Sequence, residues 1–255
     1  MGRFSRGTAA AVGLTVAAVG IVPFLVARSV AEDYGLAIQL EYFMLMLRLN
    51  PIGILLGLLA AIPYVLGWQG LVHQRFLTYT RCRSDLRRTL LRAYAHCALV
   101  TGVTFGGTVL GLYGLSLLTE PVYRPEIYEG SPARSAATIT TFSQVTVWGE
   151  WLYPVVIAVW IGAHAIGYAW LALTTTLLVT NRALALSLPW AASLVIGFGM
   201  AVAGLESYSP FTATPFDLTQ LPVWKPVLPF AGLVVLAVAA AAVTVWRSSD
   251  LPRLQ

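Results

Sequence analysis

The sequence predicts an all-α integral membrane protein, a single domain of six transmembrane helices with both termini in the cytoplasm. Three observations carry this. Of 255 residues, 58% are hydrophobic and only 11% charged, against about 25% charged in a soluble domain. Too few charges remain to coat a water-facing surface, so the bilayer has to be the solvent. The apolar residues also fall into runs of spanning length. Finally, the basic residues gather at the edges of those runs, which reads as membrane orientation and not as a nucleic-acid surface, even with a pI near 9.4.

The first run, residues 8–30, follows Arg3 and Arg6 and is apolar except for Arg28. It is longer than the ~7–15-residue apolar region of a signal peptide and is expected to be span 1, running outward. Residues 31–50 hold Glu32, Asp33, Glu41 and Arg48 among Leu, Phe and Met. They are expected outside, as a helix in the outer interface or as an extension of span 1. Asn50-Pro51 is a helix start, an N-cap followed by proline. Span 2 is expected over 51–72, with Pro63 as a kink.

Span 3 is expected over 96–118. Its glycines, Gly102, Gly106, Gly107, Gly111 and Gly114, form small-xxx-small patterns that let helix backbones approach closely, within the chain or between subunits. Residues 119–150 read as an outer loop, with a short helix leading back to the membrane and Trp148 and Trp151 in an interfacial belt. Spans 4, 5 and 6 are expected over 151–179, 183–205 and 226–246. An inner turn at Asn181-Arg182 and an outer loop over 206–225 separate them.

Between spans 2 and 3 lies the most basic stretch, residues 73–95, with Arg75, Arg81, Arg83, Arg87, Arg88 and Arg92 and one acid, Asp85. Phe76, Tyr79, Leu86, Leu90 and Leu91 can form an apolar side beneath the arginines if the segment is helical. These six arginines, together with Arg3, Arg6, Arg182, Arg247 and Arg253, fall on the predicted inner side. Only Arg28, Arg48, Arg124, Arg134 and Lys225 fall outside. The bias sets both termini inside.

Chemistry is sparse. No Gly-x-Ser-x-Gly, no His-Glu-x-x-His and no P-loop occurs. His73, His96 and His164 are not at ligand spacing, and Cys82 and Cys97 are too few for a metal framework. Near the predicted cytoplasmic face a structural disulfide between them is not expected. The predicted spans carry no acid at mid-bilayer. His164 is the one ionisable residue there, and Trp160, His164 and Tyr168 share a helix face at i, i+4, i+8. That stripe is either a candidate substrate path or a neutral histidine packed among aromatics. The Thr174-Thr175-Thr176 run is a weak pore signal, and threonines there more often bond back to the helix carbonyls. The residues thus predict no catalytic site and no metal.

The order of parts resembles the membrane subunits of bacterial ABC-2 type transporters, particularly short permeases of high-GC bacteria, with a type V-like architecture. The resemblance covers essentially the whole chain. It rests on the basic N-terminus, NPIGILLGLLAAIPYVLGW in span 2, RFLTYTRCRSDLRRTLLRAYA after it, and YSPFTATPFDLTQLPVWKPVLPF before the last span. Where that family carries acids and Gly-Thr in its loop, this chain has Phe76-Leu77-Thr78 and arginines.

The resemblance implies an exporter permease of the bacterial cytoplasmic membrane that binds no cofactor itself. A second permease, identical or related, would pair with it. Separate ATPase subunits would hydrolyse ATP with Mg and push on a coupling helix at about residues 78–92. Arg81, Arg83, Asp85, Arg87 and Arg88 are the expected contacts. The alternative role for the arginines is to hold the loop inside against anionic lipid. The implied substrate is hydrophobic or amphipathic: a drug, a peptide or a lipid. A second reading is a non-transporting integral membrane subunit that anchors or regulates a complex.

Overall fold

The computed structural model describes residues 6–34, 39–73, 85–118, 140–211 and 221–247. All regular structure among them is helical. The helices are α1 (Arg6–Val16), α2 (Val22–Tyr34), α3 (Gln39–Arg48), α4 (Ile52–Leu59), α5 (Val65–His73), α6 (Leu86–Leu118), α7 (Leu152–Leu178), α8 (Arg182–Val202) and α9 (Trp224–Trp246). A π-helical turn, Ala17–Ile21, joins α1 to α2 without a break. Five helices are individually long and apolar enough to cross a membrane, and the bent pair of α3 and α4 makes a sixth if counted as one span. The protein is a multi-pass membrane protein.

The second crossing differs from the single kinked helix expected over 51–72. α3 meets α4 at an angle of 61°, and a turn over residues 60–64 separates α4 from α5. Pro63 supplies no N–H to Leu59 O, and Ile62 N donates there instead (3.1 Å), tightening the turn. α3 leaves no apolar face free: all eight residues from Leu40 to Leu47 are buried. It packs against α2 and α6, with Tyr42 edge-on to Phe24 and Phe43 edge-on to Tyr113. The acid at Glu41 masked this in the sequence, and it is itself buried.

The elbow after α3 reaches the middle of span 1 for a specific reason. Pro23 lacks the N–H that would bond Val19 O four residues back, and its ring crowds that carbonyl. The helix relieves the crowding by widening into the π turn, where Val22 N bonds Ala17 O. An unpaired carbonyl in a membrane costs several kcal/mol. Asn50 Nδ2 donates to Val19 O (2.6 Å), while Asn50 Oδ1 accepts from Ile52 N (3.1 Å). The cap expected at Asn50-Pro51 forms, and the same side chain also stitches the elbow to span 1.

α7 is the hub, packing against α4, α5, α6, α8 and α9. Its inward face is tightly sealed: Ile157, Ile161, Ala165, Ala169, Ala172 and Leu173 have no exposure. The α6–α7 crossing is a glycine seam. A Cβ at Gly106 would stand 3.2 Å from Ala158 O, and one at Gly162 would stand 3.3 Å from Gly102 O. The Gly102–Gly106 pattern therefore serves packing within the chain. Gly107, Gly111 and Gly114 meet no neighbour within 4 Å.

Candidate functional site

One end of the bundle collects the basic residues. The last turns of α5, α7 and α9 and the first turns of α6 meet in a small apolar cluster of Val72, Leu86, Leu90 and Leu177, with Trp68 and Val245 against it. Gln69 Nε2 donates to Arg182 O (2.8 Å), which brings the start of α8 to the same end. A Cβ on Gly67 would lie 3.5 Å from Thr8 Oγ1, so α1 begins there too. Arg6, Arg87, Arg88, Arg92, Arg182 and Arg247 thus belong to one end. All but Arg6, whose side chain is not described, are exposed.

Within residues 73–95, His73 ends α5 and the description resumes at Asp85. Arg81 and Arg83 lie outside the described residues. Asp85 caps α6, its Oδ1 accepting from Arg87 N (3.0 Å). Its Oδ2 lies 3.6 Å from Arg88 Nε, with both side chains largely exposed, a pair worth at most about 1 kcal/mol. Residues 86–95 are not a loop before span 3 but the first turns of the span helix itself. α6 has 33 residues, about 50 Å at ~1.5 Å per residue, whereas the hydrocarbon layer is about 30 Å thick. The helix is thus longer than the apolar layer is thick, and its charged residues lie in its first turns. Its two sides differ: Leu86, Leu90, Ala93 and Tyr94 are buried, while Arg87, Arg88, Leu91 and Arg92 face out.

The second candidate, the Trp160–His164–Tyr168 stripe on α7, divides in two. Trp160 packs on Phe142, His164 and Phe230, with centroids 4.6–4.9 Å apart. His164 also faces the Phe230 ring at 4.4 Å. The His164 ring is 2% exposed. Its Nδ1 lies 2.9 Å from Trp160 O, which places the proton on Nδ1. Nε2 is left as a buried acceptor with no partner among the described residues. Phe142 takes a left-handed backbone, φ 70°, a costly conformation for a bulky residue, and its ring is an edge-on neighbour of Trp160. These rings form one packed cluster beside the middle and first half of α7.

Tyr168, one turn further along, belongs instead to the wall of an apolar groove of about 450 Å³. α7 floors it and α8 and α9 form its sides. The sequence did not expose this groove, because its walls come from three separate runs. Two signals were visible, Pro189 and Pro229, which lie inside α8 and α9 and disturb helices that would otherwise run straight. Pro189 leaves Ala185 O without its N–H donor, and the Thr175 hydroxyl of α7 lies within bonding distance of that carbonyl and of Ala172 O, its single proton shared between them. The threonine run is thus structural: Thr174 bonds Trp170 O and Thr176 bonds Leu173 O. Tyr94 OH adds a 2.7 Å bond to Thr174. Among the described residues no three His, Cys, Asp or Glu converge as a metal site.

No family model matches the chain, and no curated protein or solved structure matches it either.

Proposed function

We propose that the chain is the membrane permease subunit of an ATP-driven ABC exporter in a bacterial cytoplasmic membrane. ATP and Mg are handled by a separate ATPase subunit, a second permease stands beside this one, and the substrate is hydrophobic or amphipathic. The observation that best supports this reading is the foot of α6. Its outer side presents Arg87, Arg88 and Arg92 to water, while Leu90 on its inner side is fully buried against the ends of other helices. A load applied to the arginine side passes through Leu86 and Leu90 into α5, α7 and α9 together. That is the property a coupling element needs when the energy source is a partner.

In this mechanism the ATPase binds the exposed foot, and its closure on ATP tilts α6. The tilt moves α7 through the glycine seam, because backbones in direct contact cannot slide independently. α7 then shifts α8 and α9 against it. Asp85 holds the foot helical from its first residue by capping Arg87 N.

Purification of the full chain from its native membrane tests this. The expected result is copurifying Mg-dependent ATPase activity, reduced at least five-fold by the double substitution Arg87→Glu/Arg88→Glu, with the amount and elution of the chain unchanged. Wild-type chain without any ATPase activity would contradict the reading and favour a non-transporting membrane subunit.

A further inference from the structure

We infer that the groove between α8 and α9 is a binding site for a single apolar chain of a membrane amphiphile, entered sideways from the leaflet opposite the arginine end. α8 and α9 both lean on α7 and barely touch each other, so the groove is open to lipid along its length. It reaches from Leu188 to Met200 on α8, a rise of about 18 Å at ~1.5 Å per residue. Spreading 450 Å³ over that length leaves a mean cross-section on the order of 25 Å². That is room for one extended chain, whereas a helix with its side chains is about 10–12 Å across. A helix of a second copy would not fit inside it and could only lie across its mouth.

The lining decides the chemistry. Two polar side chains of the groove, Ser193 and Thr175, are already engaged within its walls. Ser193 Oγ donates to Trp190 O (2.7 Å), and the Thr175 hydroxyl lies between Ala172 O and Ala185 O. The rest of the lining is mostly Leu, Ile, Met, Pro, Ala and Gly. A polar occupant would lose its water there for few partners, so this stretch suits an apolar one. The far end has a different character. The short turn Glu206–Tyr208 touches both α8 and α9, and the Tyr208 ring stands 6.1 Å from that of Trp224. An aromatic pair at this level marks the depth of lipid head groups, which sets the polar end of the amphiphile there and its tail inward. The site is independent of the ATPase reading, because the chain alone forms it.

The test uses full-length protein in nanodiscs containing phosphatidylcholine with a diazirine on one acyl chain, followed by irradiation and peptide mapping. No ATPase is present, so its outcome and that of the partner reading are separate. The expected labels fall on Ala192, Ile196 and Leu233, at least five-fold above the lipid-facing Val195, Phe198 and Val235. Gly232 lines the groove, and a Cβ there meets nothing within 4 Å, so Gly232→Leu fills the space without a clash and should cut groove labelling at least five-fold. Ala192→Leu is the second filling variant, and Gly107→Leu, in open space on α6, is the control that should change nothing. Labels spread evenly around α8 and α9, or groove labels indifferent to both filling variants, would overturn the inference. So would disulfide-linked dimers formed in high yield by Ala192→Cys.

Discussion

Where α6 crosses α7, backbone meets backbone; where α8 and α9 lean on α7, side chains stand apart and leave a groove. Both regions use the same hub helix, and both are built from apolar sequence. The difference lies in residue size and in proline placement. Gly102, Gly106 and Gly162 remove the side chains that would hold α6 off. Pro189 and Pro229 lie inside the partner helices on the other side and each removes a backbone donor. In a bilayer the lipid is as apolar as leucine, so no hydrophobic force closes the second region. One half of the molecule is therefore closely packed backbone to backbone, and the other keeps an opening at its flank.

That comparison can be broken most severely at the seam. Gly106→Leu should cost about 2–3 kcal/mol through overpacking, read as a large fall in detergent Tm, because its Cβ alone already crowds Ala158 O. Gly107→Leu, one residue away and open, should stay within about 0.5 kcal/mol. Equal losses at the two positions would mean that the seam is not a close contact.

The proline breaks give the next effect. Asn50→Leu leaves Val19 O unpaired and should cost about 1–3 kcal/mol. Pro23→Ala restores the missing N–H, so the double variant should recover much of that loss in a thermal-shift cycle. Additive losses would show that Asn50 supports something other than the proline break. The same cycle at the other break, Thr175→Val with Pro189→Ala, should show the same sign with a smaller loss of about 1 kcal/mol. Thr175 also bonds within its own helix, and its carbonyl partner lies beside an open groove.

The smallest effect belongs to the surface. Arg88→Ala should change Tm by less than the equivalent of about 0.5 kcal/mol, since its pairing with Asp85 is exposed. A large loss there would mean that the foot of α6 is buried against something in the protein itself.

The long helices were legible because a bilayer demands long apolar runs, and nothing else in the chain competes with that signal. The foot of α6 was legible as a helix by the spacing of Leu86 and Leu90, though the boundary set at residue 96 followed charge and missed that the helix begins ten residues earlier. The burial of α3 was not legible because Glu41 and Arg48 look like surface residues. Its burial comes from α2, just before it in the chain, and from α6, far from it in sequence. The partners of Pro23 and Pro189 were invisible for the same reason: a proline announces which carbonyl it orphans, but not which side chain will arrive. The Trp160, His164 and Tyr168 stripe was correct as a helix face, yet it takes two different surroundings once α8 and α9 are in place.

The central claim is that the foot of α6 receives a partner. A photo-cross-linking amino acid at Arg88, with a second at the lipid-exposed Phe198 as reference, tests it in intact membranes. The account predicts that the Arg88 probe captures a P-loop ATPase polypeptide and the Phe198 probe captures lipid alone. Capture of lipid alone at Arg88 would contradict it, leaving the arginines as charges that anchor the bundle to anionic head groups.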